Sequence, residues 1–135
     1  MLPLTLDTVR LSLHVLAAAV WVGGQFTLAG LVPGLRALGD DVPRTVARRF
    51  NRIAWPAYGV LLATGIWNLA ESAFDARGTE WQVTLFVKLI VVALSGASAA
   101  THALTTSRVV LAVGGAVAGV SSLAALFLGV QLTFG

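Results

Sequence analysis

Two titratable side chains interrupt apolar stretches of this chain: His14 in LSLHVLAAAVWVGG and Lys88 in WQVTLFVKLIVVAL. Such groups are costly in hydrocarbon and are kept where they bind something or meet a partner. An imidazole offers a nitrogen lone pair to a metal. A lysine offers a cation to an anionic group or, when neutral, a lone pair of its own. A helix advances ~100° per residue, so residues seven apart share a face. His14, Ala17, Ala18 and Trp21 thus form one stripe: an ionisable head, a floor of small residues, then a flat ring. Lys88, Ser95, Ala99 and His102 form a second. His102 lies ~21 Å along the axis from Lys88, reads as an interfacial anchor, and is too far from His14 to share a metal with it.

Copper(I) prefers thiolate and thioether ligands. The chain has no cysteine, and Met1 is its one methionine. A copper site would therefore need the amino terminus or a second subunit. Haem fits the residues better, because one proximal histidine suffices. His14 is the expected iron ligand, and Trp21 is expected beneath the porphyrin edge. Lys88 is expected either as the opposite ligand or, like Arg10, as a cation for the propionates.

The elements that must position these groups are membrane helices. Of 135 residues, 57% are hydrophobic and 11% charged, and the mean hydropathy is +0.86. Soluble domains carry ~25% charged residues, so this chain cannot cover a water-facing surface. Four segments reach spanning length, at about 8–32, 53–69, 82–104 and 109–134, the first closed by Pro33 and Gly34. The apolar run 11–32 is too long for the core of a cleaved leader and reads as a retained helix. Between the first two spans, Asp40, Asp41 and Pro43 suit a helix start, and Arg44, Arg48 and Arg52 recur every fourth residue. Segment 36–52 therefore reads as a basic helical extension at the membrane surface, held by anionic headgroups and feeding the second span.

The first loop holds five arginines and the third holds Arg108, which makes both cytoplasmic and puts both termini outside. In a bacterium this is a multi-pass protein of the plasma membrane. The arginines lie beside spans with almost no aromatic interleaving, so nothing points to nucleic acid. Trp67 and Trp81 suit an outer aromatic belt, Trp55 and Tyr58 an inner one. Glycines such as Gly96 and Gly114 allow close helix approach. The expectation is one all-α domain over 1–135, an up-down four-helix bundle, with homo-oligomers possible. With this orientation His14 and Lys88 each lie ~9 Å below the outer surface.

The chain resembles the copper-resistance protein D (CopD) family and, through it, the HemJ-type membrane proteins. The resemblance rests on LHVLAAAVWVGG, RRFNRIAWPAYGVLLATGIWNL and WQVTLFVKLIVVAL, and covers the first three spans. It implies copper uptake or tolerance in the one group. In the other it implies haem b binding and oxidation of protoporphyrinogen IX, with a first-span histidine and a third-span lysine as key residues. His14 and Lys88 match those positions. The chain lacks the methionine and cysteine sites of copper-handling members, and differs from HemJ around the first-span histidine. Haem b binding is the function expected, beside copper handling, protoporphyrinogen oxidation, or a structural role in which the polar stripe only joins helices.

Overall fold

The structure, a computed structural model, describes residues 3–135. Met1, the one sulfur ligand weighed above, lies outside them. The described residues are all-α, with four helices long and apolar enough to cross a membrane and no strand. They are α1 (Leu6–Leu38), α2 (Val42–Ala70), α3 (Thr79–Leu104) and α4 (Arg108–Gln131). A single 3₁₀ turn, Phe74–Ala76, precedes α3. Their large apolar side chains mostly face outward: Val15 is 66% exposed, Ile66 69% and Phe127 62%. Water would not tolerate that surface, whereas lipid requires it. The chain is a multi-pass membrane protein.

One boundary differs from the sequence expectation. Pro33 and Gly34 do not close the first span; α1 runs through them to Leu38. A lone proline costs one backbone bond, which a membrane helix accommodates where water would compete for the freed carbonyl. The stop comes at Gly39, whose φ of +150° is open to glycine and whose N–H bonds the Arg36 carbonyl at 3.2 Å. The basic stretch and second span form one rod from Val42, continuous through Pro56. Pro43 sits in its first turn, while Asp41 occupies the N-cap position without a side-chain capping bond.

Contacts divide the chain into two compact units, one ending at Ala73 and the other formed by Phe74–Gly135. The first is the antiparallel pair α1–α2. Its seam is sealed by Ala17, Trp21, Val22 and Ala54, all under a tenth exposed. Near the middle of α1 the backbone widens into a π-helical turn, Ala19–Gly23. The second unit is the antiparallel pair α3–α4, which meets through small residues: Ser95, Gly114, Ala118 and Ser122 are buried. A Cβ on Gly114 would stand 3.3 Å from the His102 Cβ and 3.4 Å from the Ser98 carbonyl oxygen. Only a glycine allows that approach without displacing backbone.

Candidate functional site

The side chains that could do chemistry in the first unit follow the α1–α2 seam. His14 Nδ1 lies 2.8 Å from Thr64 Oγ1. That oxygen is also 2.6 Å from the Val60 carbonyl oxygen and 3.2 Å from that of Leu61. A hydroxyl has one proton, and carbonyls only accept. The 2.6 Å contact claims that proton, a common back-bond of threonine within a helix. Thr64 must then accept from the Nδ1–H of His14, so in the neutral ring the basic lone pair is on Nε2. Cε1 of the ring faces Gly65, where an added Cβ would stand at 3.6 Å. A histidine whose one nitrogen is tied by a donated hydrogen bond and whose other carries the lone pair is arranged as metal-binding imidazoles are.

One turn toward the α1 N-terminus, Arg10 is 8% exposed. Its Nη2 pairs with Asp7 Oδ1 at 2.9 Å, and its Cζ lies 5.9 Å from the centre of the Trp67 ring. Its Nε and Nη1 are buried without an acceptor. On α2, Asn68 follows Thr64 by one turn, and its Oδ1 is buried without a donor. Buried unsatisfied groups cost about 1–3 kcal/mol each, and Arg10 and Asn68, each one helical turn from the His14–Thr64 contact along its own helix, both carry them.

Toward the other end of α1, Trp21 is 3% exposed. Its ring packs on Tyr58 at 4.4 Å between centroids and meets Trp55 edge-on at 5.5 Å. The surface expected to support a porphyrin edge is thus covered by α2's own rings. Tyr58 and Trp55 are members of this cluster rather than separate belt residues, although Trp55 keeps an outward face at 37% exposure.

Lys88 belongs to the second unit. It is half-buried on α3, and a Cβ on Gly129 of α4 would come within 3.1 Å of its Nζ. No carboxylate among the described residues pairs with it. His102 Nδ1 donates to the Leu111 carbonyl at 2.6 Å, binding α3 to the start of α4. Three serines of this pair are bonded to backbone. Ser95 donates to the Ala118 carbonyl at 3.3 Å, Ser121 to the same carbonyl at 3.2 Å, and Ser122 to that of Gly119 at 2.8 Å. Among the described residues no three of His, Cys, Asp or Glu converge as a metal cluster.

The structure thus brings Arg10, His14 and Trp21 onto one buried line, and places Lys88 on the other helix pair. Thr64 and Asn68 were visible in the sequence only as polar residues of the second span. The signal that singles out Thr64 is the antiparallel register, which sets it against His14. By fold and site this is an all-helical, multi-pass membrane protein with an oriented histidine in its first span. Compared with known proteins, the chain matches no family model, no curated protein and no solved structure.

Proposed function

We propose that this chain binds haem b in the membrane, with His14 as an axial ligand of the iron, in a redox or haem-handling role. The observation that carries the reading is the Thr64 lock: it consumes the Nδ1 proton, orients the ring and leaves the donor pair on Nε2. A group held by one nitrogen donor and by apolar walls suits this chain, whereas a copper site would need sulfur or several imidazoles. Bound haem would supply one-electron chemistry at its iron. The protein's own part is to fix the imidazole through the Thr64 bond and keep water away with the apolar faces of α1 and α2. Lys88 enters this reading from its position in the sequence and the CopD and HemJ resemblance, as a second ligand or a propionate partner. The setting proposed is a bacterial plasma membrane, with the 36–52 segment and Arg108 in the cytoplasm and both termini outside.

The test is the absorption spectrum of the purified protein after expression with added haem. A Soret band that is present in the wild type and lost or shifted in His14→Ala supports the reading. A colourless wild-type preparation refutes it.

A further inference from the structure

The orphaned polar atoms at Arg10 and Asn68 have no role in holding iron, and they need a guest. Arg10 has five N–H groups. Asp7 takes one nitrogen, and both remaining nitrogens are sealed from solvent without an acceptor. Arg10 lies only ~6 Å along the axis from the first residue of α1, and Asp7 beside it has a side chain 71% exposed. The site is therefore close to water at one edge and closed at the other. Asn68 lies one helical turn from Thr64 on α2 with its Oδ1 buried and without a donor, and an amide can turn either its oxygen or its NH₂ toward a guest. Trp67 closes one side with its ring.

The geometry points to a carboxylate subsite, in which Arg10 and Asn68 together grip the acid group of an amphipathic molecule whose apolar body lies along the helices. A guanidinium and a carboxylate are both planar and match two bonds at a time. Lipid phosphates reach arginines that face the bilayer, whereas Arg10 faces α2 and is nine-tenths buried. The Asp7 carboxylate opposes a second anion only weakly, because it is solvated. Two sources share this chemistry: a propionate of haem and the head of a free long-chain acid. The first rests on the reading given above; the second does not.

The experiment uses the full chain in phosphatidylcholine nanodiscs. Oleate is compared with oleyl alcohol by the shift in unfolding midpoint, and haem with its dimethyl ester by titration of the Soret band. The subsite predicts that oleate raises the midpoint and the alcohol does not, or that haem binds at least tenfold tighter than the ester. Arg10→Gln erases the difference, Arg10→Lys keeps part of it, and Asp7→Asn, which releases one more N–H, enlarges it a few-fold. Equal binding of haem and ester, with oleate no better than the alcohol, overturns the subsite while leaving His14 as ligand. An Arg10-dependent oleate shift without any Soret band keeps the subsite, assigns it to free acids, and refutes haem binding. An acid preference that survives Arg10→Gln, or that Asp7→Asn abolishes, overturns the proposal even if one variant is poorly folded.

Discussion

At the scale of single residues, Thr64 carries more than its sequence context suggests. Its hydroxyl is the point through which the α2 backbone dictates which nitrogen of His14 is basic. Thr64→Val keeps the shape and removes the acceptor, leaving a half-buried N–H without a partner. The expected cost is about 1–3 kcal/mol, read as a lower unfolding midpoint, and imidazole ¹⁵N shifts should show mixed tautomers. Thr64→Ser should restore both. A variant with unchanged tautomer and midpoint would mean that the ring is positioned by packing alone. His14 and Arg10 were legible from sequence because a titratable group in an apolar run is conspicuous by itself. Thr64 and Asn68 were not, since threonine and asparagine are ordinary in membrane helices and acquire meaning only from the residue opposite. The stripe that carries Trp21 was legible on α1, whereas the rings that pack on it come from α2 and were not.

At the scale of elements, α1 and α4 use different devices to stay in contact with their partners. In α1 the π-helical turn Ala19–Gly23 holds about one residue more than a regular turn; the contact with α2 runs from the buried Ala17 before it to Gly24 after it, where an added Cβ would meet the Phe50 ring. Deleting Val20 should therefore return the segment to a regular helix with both halves still in phase. Deleting Val15, in a regular stretch, rotates everything before it by ~100° and should unfold the pair; thermal unfolding in detergent separates the two. In α4 the contact depends on the absence of side chain. Gly114→Leu must push α4 away from His102 and Ser98 of α3 and should lower stability by about 1–3 kcal/mol. Gly30→Leu, at a position with nothing within 4 Å of an added Cβ, should change little. The number and type of helices followed from hydropathy and length, which the bilayer imposes on any spanning chain. The end of the first span did not follow, because Pro33 reads as a stop in a sequence and is tolerated within the rod α1.

At the scale of the whole molecule, the charge distribution argues for one orientation, and the absence of cysteine makes it simple to test. Single cysteines at Ala37 and Ser107 should resist a membrane-impermeant maleimide added outside intact cells, while one at Thr133 should react; the reverse pattern would invert the topology. A second property of the whole follows from helix length. The helices of the first pair have 33 and 29 residues and those of the second 26 and 24, about 50 and 44 Å against 39 and 36 Å at 1.5 Å per residue. A hydrocarbon layer of about 30 Å leaves the first pair with the larger excess, and much of that excess is the arginine-bearing end of α2. Bilayer thickness should then act as a control on this protein: thin, short-chain lipids would force α1 and α2 to lean further than α3 and α4, and thick ones would let them stand upright.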